Sequence, residues 1–216
     1  MIANCFAPVY STGTIRTRTR EPQCYHFRVD FGAADKCAGY VLVGGRSSRM
    51  GRDKAFLPFR GGVLAGAVAR AVAEAAGSAV LVGNPAIGIG YPAIPDLYPG
   101  EGPLGGILTA LRHTSADWNA IVACDLPDLG AALLRELLRE ARRRDAGVLM
   151  SAGRSGQAEP LCAVYHRRVL AALEEAFGRG IRKITEAARN EMQVAAVECE
   201  LHNVNTPEDW AGYAGK

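Results

Sequence analysis

None of the six cysteines stands at C-x-x-C spacing from another, so a zinc or thioredoxin-like site has no basis in the sequence. Cys37, Cys124 and Cys162 lie in apolar runs and read as small core residues, and Cys5, Cys24 and Cys199 form no pattern. A reduced, cytoplasmic chain fits this usage. No apolar run is long enough to cross a bilayer. The formal net charge is only +3. That is too little to predict a nucleic-acid or membrane-surface partner. The four histidines, His26, His113, His166 and His202, have no metal-ligand spacing. They suggest no Ser-His-Asp or Cys-His grouping. G-x-x-x-x-G-K-[ST] does not occur, the glycine-rich stretch at 44–54 is not G-x-G-x-x-G, and there is no internal repeat.

What is present is an ordinary globular composition, 49% hydrophobic and 22% charged over 216 residues. That length predicts one α/β domain with a short appendage. Residues 1–37 show no periodicity. The first twenty residues hold three arginines and no acid, a composition shared with transit peptides. The simpler expectation is an amino-terminal extension, disordered and without function, ahead of a single domain at 38–216.

From residue 38 short apolar runs alternate with helical patterns. AGYVLV, AVLVGN, NAIVACD, AGVLMSA, PLCAVYH and MQVAAVE predict strands at 38–43, 79–84, 119–125, 146–152, 160–166 and 192–198. Helices are expected at 64–77, 104–114, 132–144, 167–177, 184–190 and 206–213. Gly77 is placed to stop the first of these. The alternation predicts a doubly wound, mostly parallel sheet with helices on both faces. Such sheets bind ligands beyond the carboxyl ends of their strands, so the loops there hold the candidate residues.

The first loop is GGRSSRMGRDK, 44–54, with three glycines, four cations and one carboxylate. Glycines let backbone N–H groups approach an anion. Arg46, Arg49, Arg52 and Lys54 suit a polyphosphate, and Asp53 suits an internal ion pair. The second is DLP, where Asp125 ends an apolar run. A carboxylate there calls for a partner or a metal, or else it caps the next helix. Mg²⁺ uses one or two carboxylates with phosphate oxygens and water. The third is PDLYPGEGPLGG, where Asp96 precedes glycines that leave room for a ring or a ribose. The fourth is NVNTPEDW. Thr206, Pro207 and Asp209 match a helix start, so Asp209 reads as a cap, and Asn205 is free to face a cleft.

Taken in order, GGRSSRMGRDKAFLPF, VGN, Asp96, GPLGGI, CDLP, EPLCAVYH and NVNTPEDW resemble the molybdenum cofactor guanylyltransferases, from about residue 38 to the end. The resemblance implies a Rossmann-like, nucleotide-diphospho-sugar-transferase-like fold. It implies transfer of GMP from Mg-GTP to the phosphate of molybdopterin, giving molybdopterin guanine dinucleotide and pyrophosphate. It also implies that Leu42, Val43, Gly44, Gly45, Lys54, Asn84, Asp96 and Asp125 meet the nucleotide. In the same way Asp125 holds Mg²⁺, Arg49 and Lys54 serve the phosphates, and Asn203 and Asn205 lie toward the pterin. Transient contact with molybdoenzymes or cofactor-delivery proteins belongs to the same expectation. Val43 departs from the alanine usual in the family. The alternatives are a cytidylyltransferase using CTP, a sugar-phosphate nucleotidyltransferase, or a non-catalytic nucleotide-binding protein of this fold.

Overall fold

Alternate residues of the run Cys37–Val43 face opposite sides, and both sides are covered. Val41 and Val43 enter one apolar cluster, while Tyr40 and Leu42 enter another. A strand buried on two faces belongs in the middle of a helix-covered sheet. The computed structural model describes residues 36–44, 54–83, 88–152, 156–196 and 201–213. It places this strand, β1, between two parallel neighbours.

The remaining strands are β2 (Pro58–Phe59), β3 (Gly62–Val63), β4 (Val80–Gly83), β5 (Ala93–Pro95), β6 (Trp118–Ala123), β7 (Val148–Ala152), β8 (Ala158–His166) and β9 (Met192–Ala196). Six of them and β1 form one seven-stranded sheet in the order β5-β4-β1-β6-β8-β7-β9. Only β8 runs antiparallel to its neighbours. The mostly parallel, doubly wound sheet is therefore as expected. The helices are α1 (Leu64–Ala76), α2 (Pro103–His113), α3 (Ala131–Arg143), α4 (Leu170–Gly178), α5 (Ile184–Ala187) and α6 (Pro207–Ala211).

One core cluster packs α1 and α3 on one face of the sheet, joined by Trp210 and Tyr213 beside Phe59. The other packs α2, α4 and α5 on the opposite face. Helix α1 ends as expected at Gly77, whose φ of 79° is left-handed and whose N–H donates to Ala73 O at 2.9 Å. In α3, Arg142 and Arg143 sit in the last turn, the favourable end of the dipole.

Local expectations differ in their bounds. Strand β6 stops at Ala123, so Cys124 and Asp125 lie in the turn beyond it. The helix expected at 184–190 covers only Ile184–Ala187. The β2–β3 hairpin and the three-residue edge strand β5 have too few residues to show a periodicity.

Candidate functional site

After β1 the chain turns to β4 and β5 on one side, and later returns to β6 on the other. Doubly wound sheets take ligands in the crevice beyond the carboxyl ends of the strands at such a change of direction, here β1 and β6. Its floor is closely packed. Val43 pairs with Gly83 in register, and a Cβ on Gly83 would stand 2.0 Å from Val43 O. Gly83 has a φ of 139°, so only glycine fits there without strain. Gly44 follows β1 and is exposed in the crevice. Leu42 and Val43 are buried, so their side chains belong to the core. Leu42 O accepts from Cys124 N at 3.2 Å, carrying the β1–β6 pairing into the turn.

Lys54 opens a 3₁₀ turn, Lys54–Phe56, at this edge. Its Nζ donates to Asp125 Oδ2 at 3.2 Å and to Asn205 Oδ1 at 2.8 Å. The Lys54 and Asp125 side chains are 17% and 19% exposed, so the pair is sheltered but reachable. The carboxylate expected to need a partner has this one. It does not cap the next helix, because α3 begins after Gly130. Val204 N donates to Asp125 O at 3.0 Å, tying the carboxy-terminal segment to the same turn. Among the described residues no group of three or more His, Cys, Asp or Glu is placed to hold a metal ion. Asp125 offers one carboxylate there. That suits a magnesium ion whose other ligands are phosphate oxygens and water.

Asn205 is itself held. Asp209 Oδ2 accepts from Asn205 N at 2.8 Å and Thr206 N at 2.9 Å, and Asp209 N donates to Thr206 Oγ1 at 3.1 Å. This is the capping box expected for α6. The two N–H groups, first that of Asn205, hold the Asp209 carboxyl below the usual carboxylate range.

Asp96 follows edge strand β5 and is fixed differently. Its Oδ1 accepts from Tyr98 N and from Thr109 Oγ1, both at 2.9 Å. Thr109 Oγ1 also accepts from Leu97 N at 3.0 Å and lies 3.0 Å from Gly105 O. Oδ1 of Asp96 is therefore spent on the loop. Two glycines of GPLGG serve packing. Gly105 and Gly106 are buried, and Cβ atoms there would stand 2.8 Å from Tyr98 Cβ and 3.2 Å from Leu42 Cδ1. They let α2 pack closely and do not make room for a ring.

The structure thus brings together Lys54, Asp125 and Asn205, with Gly44 beyond the adjacent strand and Asp96 beyond β5. Gly45, Arg49, Asp53 and Asn84 lie outside the described residues. Asn203 is exposed. Sequence reasoning missed Thr109, whose only signal is a hydroxyl on an otherwise apolar helix, and the Lys54–Asn205 bond, which no local pattern shows. His113 approaches the Tyr40 hydroxyl at 3.0 Å, and His166 accepts from Arg168 N at 3.0 Å. Neither belongs to the Lys54 cluster. No described helix is long and apolar enough to cross a membrane.

Comparison with known proteins bears on the family and the fold. The profile of a family described as MobA-like NTP transferase domain matches residues 39–194. A molybdenum cofactor guanylyltransferase of Pseudomonas putida (strain GB-1) is 32% identical over 183 residues, covering 80% of this chain and 94% of that one. A probable molybdenum cofactor guanylyltransferase of Opitutus terrae is 34% identical over 192 residues, covering 82% and 94%. Among solved structures, the molybdopterin-guanine dinucleotide biosynthesis protein A of Archaeoglobus fulgidus superposes with a TM-score of 0.70 at 26% identity, covering 82% of this chain and 96% of that one.

Proposed function

Because the chain belongs to the MobA-like NTP transferase family and is a nucleotidyltransferase, we propose that it transfers GMP from Mg-GTP to the terminal phosphate of molybdopterin. The products are molybdopterin guanine dinucleotide and pyrophosphate. The observation that carries the proposal is the Lys54 ammonium, held between Asp125 and Asn205 at the crevice. Relatives named for this activity support the choice of substrates.

The acceptor's phosphomonoester oxygen is already anionic at neutral pH, so the reaction needs no general base. A bond forms from that oxygen to the α-phosphorus, and the bond from the α-phosphorus to the β-phosphate oxygen breaks. The electron pair leaves with pyrophosphate. The barrier is the approach of two anions, and fixed positive charge lowers it. Lys54 supplies that charge at the phosphates, and the Gly44 amide lies at the crevice edge. Arg49 and Gly45 serve the same phosphates from the loop between Gly44 and Lys54, and Asn84 with Asp96 meets the nucleoside. Asp125 would hold Mg²⁺, which screens the triphosphate when bound. Asp125 and Asn205 keep Lys54 aimed into the crevice, so little reorganisation remains for the chemical step.

In this proposal the catalytic unit spans 38–216, with 1–37 as an extension to it, and it works in the cytoplasm. Handing the dinucleotide on would involve transient contact with molybdoenzymes or delivery proteins. The test is product formation with molybdopterin, Mg²⁺ and either GTP or CTP, following dinucleotide and pyrophosphate together. Dinucleotide with GTP alone is expected. Turnover with CTP alone would keep the chemistry and overturn the base. Nucleotide binding without turnover would make the protein a binder.

A further inference from the structure

We infer that Asp209 is a positioning residue for the Lys54 ammonium, acting through Asn205. The inference rests on the proposal that Lys54 contacts the phosphates.

The contacts form one chain. The Asp209 carboxylate accepts from Asn205 N at 2.8 Å, and Asn205 Oδ1 accepts from Lys54 Nζ at 2.8 Å. A capping box needs the carboxylate to reach back only to the N-cap residue, Thr206. Here the same oxygen also takes the N–H one residue earlier. The capping box itself does not require that second bond. It fixes the backbone of the residue that holds Lys54.

The local fold leaves Asn205 few other restraints. Its side chain is exposed, and α6 has only five residues. Val204, its neighbour, is buried and donates to Asp125 O at 3.0 Å. Asn205 is therefore pinned from both sides. Val204 ties it to the turn carrying Asp125, and Asp209 ties it to α6. Helix α6 is anchored in turn by Trp210 against Phe59, with ring centroids 6.1 Å apart. Phe59 lies in β2, five residues after Lys54. The carboxy-terminal segment thus closes a loop of contacts around the lysine, and Asp209 is its central hydrogen-bond acceptor.

A long ammonium side chain has many rotamers, and ordering it costs entropy. An acceptor already fixed in space removes that cost before substrate arrives. Losing the restraint should therefore lower kcat more than it raises KM for GTP, since the contact matters most as charge develops on the leaving group.

The experiment compares Asp209→Ala, Asp209→Asn, Asn205→Ala, the double variant Asn205→Ala/Asp209→Ala and, as a control on the same turn, Glu208→Gln. Each is assayed for kcat and KM with GTP and molybdopterin, and for Tm. The Lys54 Cε resonance is followed in protein labelled with ¹³C-lysine, where only Lys36, Lys54, Lys183 and Lys216 give signals. Asp209→Ala should lower kcat about tenfold, the scale of one lost hydrogen bond to a charged group. It should also move the Lys54 signal. Asp209→Asn keeps an acceptor oxygen and should restore most of kcat. The double variant should be no worse than Asn205→Ala alone, and Glu208→Gln should match wild type.

If Asp209 only caps α6, Asp209→Ala lowers Tm but leaves kcat and the Lys54 signal unchanged, and the inference is overturned. Should that variant not fold, Asp209→Glu keeps the charge but misplaces the acceptor. It must then lower kcat and shift the Lys54 signal. Lys54→Ala separates the two failures. Full activity in that variant overturns the role of Lys54 itself, whereas a dead Lys54→Ala beside a fully active Asp209→Ala overturns only the positioning role.

Discussion

The carbonyl of Val43 occupies the space that a side chain on Gly83 would need: a Cβ there would meet Val43 O at 2.0 Å and Val43 C at 2.8 Å. The obstacle is backbone, so no rotamer change relieves it. With a φ of 139° as well, Gly83→Ala should cost about 1–3 kcal/mol in backbone strain alone, and more from the clash. Thermal unfolding should show a large drop in Tm or no folded protein. A Tm close to wild type would mean that β1 and β4 do not meet this closely.

Lys54→Ala removes the only described cation held between Asp125 and Asn205. A lost charge-stabilising contact of this kind costs on the order of 3 kcal/mol in the transition state, or about a hundredfold in kcat/KM. Steady-state kinetics with both substrates would measure it. A loss of less than threefold would place the critical charge elsewhere on the loop.

Thr109→Val preserves shape but removes the hydroxyl that joins Asp96 Oδ1, Leu97 N and Gly105 O. Unsatisfied polar groups left there should destabilise the protein by about 1–3 kcal/mol. The Asp96 carboxylate also loses an anchor. KM for GTP should therefore rise more than kcat falls, and equal loss in both would show that Asp96 does not meet the nucleotide.

The Asp209 carboxyl sits below its ordinary pKa because Asn205 and Thr206 donate to its ionised form. The unfolded chain therefore binds that proton more readily. The stabilisation is complete above the unfolded value of about 3.9 and fades as pH falls through the lower folded value. The gap in Tm between wild type and Asp209→Asn should hold at neutral pH, narrow below about pH 4 and close at lower pH. A gap that grows on acidification contradicts the assignment.

Removing divalent metal should stop turnover without loosening the fold. Asp125 already has Lys54 on its carboxylate and Val204 N on its carbonyl, so its place does not depend on a bound ion. Excess chelator should abolish activity, leave Tm unchanged, and be reversed by Mg²⁺. A fall in Tm with chelator would reveal a structural metal.

The β/α alternation was legible because long periodic runs declare themselves. AGYVLV is apolar at every position, and α1 ends on a glycine that takes the left-handed conformation. The candidate residues were legible because they follow strands. What escaped notice was short or distant. Strand β5 has three residues, and Pro95 removes one donor from a position that only an edge strand tolerates. The bond between Lys54 and Asn205 spans 151 positions, and no local pattern carries such a pairing. The buried glycines of α2 look like ligand-facing glycines in the sequence. Only the positions of Tyr98 and Leu42 distinguish the two.

Strand β9 ends at Ala196, whereas the acceptor for the Lys54 ammonium comes nine residues later. A growing chain therefore presents its whole sheet, with Asp125 already beside Lys54, before Asn205 has been made. Val204, Trp210 and Tyr213 join the core packed by α1 and α3, so the segment that brings Asn205 also finishes that face of the domain.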